Sequence, residues 1–374
     1  MNYVNFNNAG SSKSYNSVDK AICKYLQVEK KYGGYYAETL YKKKIDKFYK
    51  SLAKLLKCKE NEISFLQSST VAWNLFLNSI KISKKQNIVI LDNEYGSNFI
   101  YFKKNFLNIR ISQLKYDGSV CIKDLESKID SNTVAICVCH IASQCGDIIE
   151  VEKIGGFIKK KYPETFFVLD ACQSLGQVDI DVKRIKCDVL VGSGRKYLRG
   201  PRGTGFIYLN SKINISVCPQ VLDLKNSRIE DSKVKIMKSK IFENFEYSPA
   251  LKLGLTEAIK GINKQTIEKI QLDIKKKSNY FRNKLKNYKS ITFYENINFL
   301  SGIHTFSIKN INSNFIHKYL IQKKILSSLI NKATSQSYFK KKKIKSINRI
   351  SIHSYNTFNQ IDYLIKCLID LIKK

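Results

Sequence analysis

The chain has 374 residues, 43% of them hydrophobic, enough to bury a large core and to form two domains or one large α/β domain with an appendage. Its formal charge of +34 would ordinarily suggest a nucleic-acid partner, but only eight of its 65 basic residues are arginine and lysine is spread along the whole chain, so no specific nucleic-acid binding is expected. No apolar run reaches the roughly eighteen residues of a membrane helix, and the start Met1-Asn2-Tyr3-Val4-Asn5-Phe6-Asn7-Asn8 lacks a secretion pattern, so a cytoplasmic protein with no membrane partner is expected.

Residues 18–57 read as helical, with Ile22, Leu26, Ile45, Phe48, Leu52 and Leu55 at helical spacing around a break at Gly33-Gly34. Short apolar runs then alternate with helices. The predicted strands are Asn87–Leu91, Val134–Ile141, Phe166–Leu169, Val189–Gly192 and Gly205–Leu209, with helices near 71–81, 97–105 and 151–162. Strands apolar on both faces and separated by helices imply a mostly parallel sheet covered on both sides. Further on, a long amphipathic helix (roughly 249–288), strands Phe299–Ile308 and Arg349–Ile352, and a terminal helix Gln360–Ile372 imply a smaller α+β unit. The expected division is a large domain over 15–248 and a small one built from 1–14 and 249–374. Of the ten cysteines, Cys137, Cys139 and Cys172 sit in or beside strand-like runs and none forms a C-x-x-C pair. They read as reduced, buried thiols, with no metal site.

In such sheets ligands bind beyond the carboxyl ends of the strands. There the sequence places Asp92-Asn93-Glu94-Tyr95-Gly96, Asp170-Ala171-Cys172-Gln173-Ser174 and Ser193-Gly194-Arg195-Lys196, while Gln67-Ser68-Ser69-Thr70 precedes a helix. An acid, an amide, a lysine, hydroxyls and an aromatic ring thus share one sheet edge. Pyridoxal-5′-phosphate (PLP) needs such a set. A desolvated lysine carries its aldehyde as an imine, a carboxylate holds its ring nitrogen protonated, a helix N-terminus receives its phosphate, and a flat ring stacks on its face. Arginine is scarce, so the clustered Arg195, Arg199 and Arg202 and the isolated Arg349 suggest a need for a bidentate fork.

The stretch Asp170-Ala171-Cys172-Gln173-Ser174-Leu175-Gly176, with Asp181-Val182, Cys187-Asp188 and Ser193-Gly194-Arg195-Lys196, resembles the signature of class V aminotransferase-fold PLP enzymes. That family includes cysteine desulfurases, kynureninase, isopenicillin N epimerase and hercynylcysteine sulfoxide lyase. The likeness runs from Asn7-Asn8-Ala9-Gly10 to Arg349-Ile350-Ser351-Ile352-His353 and on to Ile361-Asp362. It implies the PLP-dependent transferase fold type I: a mostly parallel seven-stranded sheet with helices on both faces and a smaller α+β C-terminal domain. It also implies an amino-acid substrate and a homodimer with shared active sites.

By that resemblance Lys196 carries the cofactor and shuttles protons, Asp170 pairs with the ring nitrogen, and Gln173 bonds the phenolate oxygen. Tyr95 is the stacking ring, histidine in many desulfurases. Ser69, Thr70, Ser193 and Arg195 hold the phosphate, and Ser143 stands where many members carry asparagine. Arg349 clamps the substrate carboxylate with Asn8 nearby, and Ser248 reaches the partner subunit's phosphate. Cys172, His140 and His353 read as structural; Arg199 and Arg202 either brace the loop or touch substrate. The string from Gly194 to Gly205 looks most like the epimerase and sulfoxide-lyase branch. A desulfurase also needs a nucleophilic cysteine shortly before the carboxylate arginine, and residues 320–348 contain none. The expectation is a carbon–sulfur (β-elimination) lyase or an epimerase, with aminotransferase, then cysteine desulfurase, then a PLP-binding regulatory module behind them.

Overall fold

The computed structural model describes residues 3–80, 82–105, 108–237 and 239–373, so Met1, Asn2 and residue 81 of the expected helix near 71–81 lie outside it. Seven strands form the main sheet: β1 (Ile63–Leu66), β2 (Asn87–Leu91), β3 (Ile109–Ser112), β4 (Thr133–Cys139), β5 (Phe166–Asp170), β6 (Val189–Ser193) and β7 (Gly205–Leu209). Their order across the sheet is β1-β7-β6-β5-β4-β2-β3, and β7 alone runs against the rest. The interior strands read as unbroken apolar runs because both faces are covered. Ile136, Val138, Leu169 and Leu190 enter one core, while Ala135, Cys137, Val168 and Val191 enter the other.

Helices α1 (Asn16–Tyr32) and α2 (Gly34–Leu56) meet at Gly33, whose φ of 80° suits glycine at the expected break. Three helices bordering the sheet, α3 (Ser69–Ser79), α4 (Gly96–Asn105) and α5 (Val151–Lys161), fall close to their predicted spans. The sequence reading passed over β1 and β3. Both have four residues, and β3, at the sheet edge, is only partly buried, so its apolar signal is weak.

The predicted helix from 249 to 288 is two helices, α6 (Pro249–Gln265) and α7 (Ile267–Leu285), parted at Thr266 with φ of 64°. Leu255, Ile259 and Ile262 of α6 are buried in the main core, so a domain boundary at 248 would sever a helix from the sheet it covers. The join lies along α7 instead: its Ile270 and Ile274 enter the main core and its Phe281 and Leu285 the second one. The smaller unit holds an antiparallel sheet of β8 (Ile291–Phe293), β9 (Ile303–Ile308), β10 (Ser328–Asn331) and β11 (Ser346–Ser351), in the order β8-β9-β11-β10. Helices α8 (Ser313–Gln322) and α9 (Phe358–Ile372) bury Ile316, Leu320, Leu364 and Leu368 with Phe306 and Ile350 of this sheet. The N-terminal Val4–Asn5 pairs with Ile325–Leu326, and Asn7 bridges to Ser351. All ten cysteines are free, and among the described residues no helix is long and apolar enough to cross a membrane.

Candidate active site

Parallel strands bring their last residues to one edge. Asp170 ends β5, Ser193 ends β6, and Cys139 ends β4 opposite Asp170. Gly205, first in β7, lies opposite both Ser193 and Leu66, which draws the segment Ser68–Thr70 to the same edge. That approach needs a glycine, because a Cβ at 205 would come within 2.5 Å of the Ser68 carbonyl carbon and 2.7 Å of the Ser69 nitrogen. Ser68 caps α3 by accepting from the Val71 N–H at 3.2 Å. Capping therefore does not occupy the half-buried Ser69 or the exposed Thr70, and both stand at the positive end of α3.

The Asp170 carboxylate is buried and held by two donors. The Cys172 N–H reaches Oδ1 at 2.9 Å and Asn98 Nδ2 reaches Oδ2 at 3.1 Å. Lys196 is also buried, and desolvation lowers its pKa; Cys172 and Asp170 oppose that shift, while Arg195 and Arg349 add to it. The Cys172 thiol is pushed up by burial and by Asp170, against Lys196 and a hydrogen bond from Ser69. These influences place Asp170, Lys196, Cys172 and Ser69 in one neighbourhood.

Arg349, on β11, faces this group from the smaller unit and is buried. Its guanidinium meets only neutral oxygens: the Ser143 carbonyl at 3.3 Å, Asn7 Oδ1 at 3.4 Å and Ser328 Oγ at 3.3 Å. Its Nε has no partner, and burial lowers its pKa to about 10. Among the described residues it forms no ion pair, although a buried, uncompensated cation is costly. A carboxylate from a ligand would supply the missing charge.

Other buried polar atoms lack partners here, among them Ser193 Oγ and Gln173 Oε1; Gln173 Nε2 spends one hydrogen on the Ala9 carbonyl at 3.1 Å. Unpaired buried groups of this kind are uncommon in a finished structure. A phosphate for the α3 terminus and Ser193, a protonated ring nitrogen for Asp170 and an aldehyde for Lys196 are the features of PLP, and the residues fit it.

The Aminotransferase class-V profile matches residues 4–364. The chain belongs to the class V aminotransferase family. A probable cysteine desulfurase of Borreliella burgdorferi is 31% identical over 82% of this chain and 74% of its own length. One from Pyrococcus abyssi is 27% identical over 88% of this chain and 84% of its own. The fold matches the apo structure of the cysteine desulfurase from Thermococcus onnurineus NA1 with a TM-score of 0.91 at 21% identity, covering 99% and 95% of the two chains. It also matches the cystine C–S lyase C-DES bound to its product cysteine persulfide, with a TM-score of 0.88 at 17% identity over 99% and 98%. A C-DES variant with glycine covalently linked to its PLP cofactor gives 0.89 at 17% identity over 99% and 97%. The protein is a class V PLP enzyme. The curated relatives carry the desulfurase name, which the sequence reading set behind lyase and epimerase.

Several family positions need correction or detail. Asn8, expected at the substrate, is wholly buried and spent on the fold: its amide donates to the Ser351 carbonyl at 2.6 Å and Asn356 Oδ1 at 3.2 Å, and its oxygen accepts from the Tyr355 hydroxyl. Asn7 is the neighbour that reaches Arg349. Ser143 holds Arg349 through its backbone carbonyl, and its buried hydroxyl turns to Gln144 at 3.5 Å. Tyr95 is half-buried before α4, and its hydroxyl is near enough to Arg349 to act on its pKa. Arg195 donates to the Gly10 carbonyl. Arg199 braces the N-terminal segment: its guanidinium bonds the Lys13 carbonyl at 2.8 Å and lies over Tyr15 and Tyr355, 3.8 and 4.6 Å from their centroids. Arg202 is exposed. Ser248 is exposed and caps α6 through Leu251 N–H at 3.3 Å. His140 and His353 are buried, and desolvation lowers them to about 4 and about 3, so both are neutral. Sequence reasoning missed Asn98, whose place behind Asp170 depends on how α4 packs.

Proposed function

We propose that this enzyme cleaves the carbon–sulfur bond of a cysteine-type amino acid by β-elimination and releases the sulfur to solution. The observation that carries this reading is the segment facing Arg349. Ser328, not a thiol, lies beside the guanidinium, and residues 320–348 contain no cysteine to receive sulfur. The curated relatives named cysteine desulfurase and the fold neighbour named a cystine C–S lyase both support sulfur chemistry at such a site.

When bound, PLP withdraws electrons from the substrate α-carbon and so acidifies its proton. Asp170 would keep the ring nitrogen protonated, Gln173 would bond the phenolate oxygen, and Ser193, Ser69, Thr70 and Arg195 would hold the phosphate. Arg349 fixes the substrate carboxylate, and burial rather than an ion pair keeps its fork free for that purpose. Lys196, its amine biased to the neutral form by desolvation, accepts the α-proton. The C–S bond then breaks with its electron pair leaving on sulfur, and one water converts the remainder to pyruvate and ammonia. The balance is RS–CH2–CH(NH3⁺)–COO⁻ plus water giving RSH, pyruvate and ammonium.

The deciding assay supplies L-cysteine, L-cystine and S-substituted cysteines to the PLP-loaded protein and follows every product. Pyruvate and ammonia in equal amounts, without alanine, are expected. Alanine with sulfur retained on the protein makes it a desulfurase, loss of chirality without cleavage an epimerase, and transfer to a 2-oxo acid an aminotransferase. A colourless protein that PLP cannot reconstitute makes it a regulatory module. In this reading the site is completed by a second copy, to which the exposed Ser248 contributes; a monomer mass for the active enzyme in light scattering would remove that part.

A further inference from the structure

Joined to Asp170 through Asn98 lies a second buried carboxyl that the reaction does not use. Glu94 follows β2 and is 3% exposed. Its Oε1 gathers three donors: the Tyr95 backbone N–H at 2.8 Å, Asn98 Nδ2 at 2.9 Å and the Cys139 thiol at 3.1 Å. Its Oε2 has no partner. The Asn98 amide nitrogen carries two hydrogens; the one not given to Glu94 reaches Asp170 Oδ2 at 3.1 Å. A single glutamate oxygen thus anchors both the backbone of the residue expected to stack on the cofactor and the amide that holds the carboxylate expected at the ring nitrogen.

We propose that Glu94 is a positioning residue for the cofactor, fixing Tyr95 directly and Asp170 through Asn98. Chance packing accounts poorly for the arrangement. An ionisable group at this depth without a cation is expensive, and burial with the nearby Asp170 raises its pKa to about 7 despite three donors. An apolar residue would fill the same space at lower cost, but it would leave the Asn98 amide free to rotate off Asp170. Glutamine keeps the accepting oxygen and drops the charge, so it separates geometry from electrostatics.

The proposal rests on Asp170 and Lys196 holding PLP, and the test distinguishes the two failures. Cofactor affinity is measured by equilibrium dialysis, and the visible band of bound cofactor by absorbance, for wild type, Glu94→Gln, Glu94→Leu and Asn98→Ala. Apo-protein melting is recorded alongside. Glu94→Gln is expected to keep affinity within about threefold and the band unshifted. Glu94→Leu loses about tenfold or more, the usual scale for a hydrogen bond serving a charged group, with a displaced band. Asn98→Ala shows a displaced band and a smaller loss of affinity, because Tyr95 stays anchored. The double variant Glu94→Leu/Asn98→Ala is no weaker than Glu94→Leu, since the two act in series. Equal affinity and an unmoved band in Glu94→Leu, or equal damage from glutamine and leucine matched by equal loss of melting temperature, overturn the proposal. If Glu94→Leu does not fold, Asn98→Ala decides: an unmoved band there also overturns it. Wild type that does not bind PLP, or a Lys196→Ala variant that keeps the wild-type band, sinks the underlying reading instead.

Discussion

Replacing Arg349 by methionine tests the substrate clamp at a buried guanidinium that forms no ion pair among the described residues. The change keeps most of the apolar stem and removes the fork that meets only the Ser143 carbonyl, Asn7 and Ser328 at 3.3–3.4 Å. A bound carboxylate would take two charge-assisted hydrogen bonds, each about 1.5 kcal/mol or more. Losing both removes about 3 kcal/mol of transition-state binding, close to two orders of magnitude in kcat/KM. The apo protein should gain or hold stability, because the desolvated guanidinium, its pKa lowered to about 10, disappears without orphaning a carboxylate. Steady-state kinetics with a cysteine-type substrate and with its decarboxylated amine isolate the effect. Wild type should discriminate strongly between the two and the variant hardly at all. A kcat/KM within threefold of wild type, with discrimination intact, would refute the reasoning.

Three other outcomes follow from the same geometry. Lys196→Met should abolish the borohydride-sensitive visible band. Because the folded-state pKa of Lys196 lies below its unfolded value, the buried ammonium destabilises wild type most below that lowered pKa and progressively less up to about pH 10.5. The apo variant should therefore melt above wild type at neutral pH, with the gap closing in alkali. Gly205→Ala drives a Cβ to 2.5 Å from the Ser68 carbonyl carbon, so cofactor affinity should fall about tenfold and the melting temperature by several degrees, read by dialysis and thermal denaturation. For Glu94, with a pKa raised to about 7, the wild-type penalty grows as pH rises from about 4.5 and is complete above about 7. The melting temperature of apo Glu94→Gln should gain on wild type across that window; a gap independent of pH would contradict the assignment.

The interior strands were legible because both their faces are buried, which leaves apolar runs with turn residues at each end. Lys196, Asp170 and Gln173 stood out in the sequence because the resemblance spans them and because strand ends are where ligands bind in such sheets. The helix break at Thr266 was not, since nothing in Gln265-Thr266-Ile267 interrupts the amphipathic pattern; packing both α6 and the start of α7 on the same main core imposes it. The short β3 stayed hidden because an edge strand alternates too briefly to stand out.

At the site, local sequence determined the residue types, and tertiary packing decided which of them are free. Asn7 and Asn8 are adjacent and chemically identical. One meets Arg349 while the other is locked to Ser351 and Asn356, because successive side chains leave the backbone in different directions and only the fold says which faces the pocket. Arg199 and Arg349 were both scarce arginines in sequence, yet the first is held by backbone carbonyls and rings while the second, buried, keeps an Nε without a partner. A side chain's partners come from distant segments, so whether its hydrogen bonds are already made is settled only when the chain has closed.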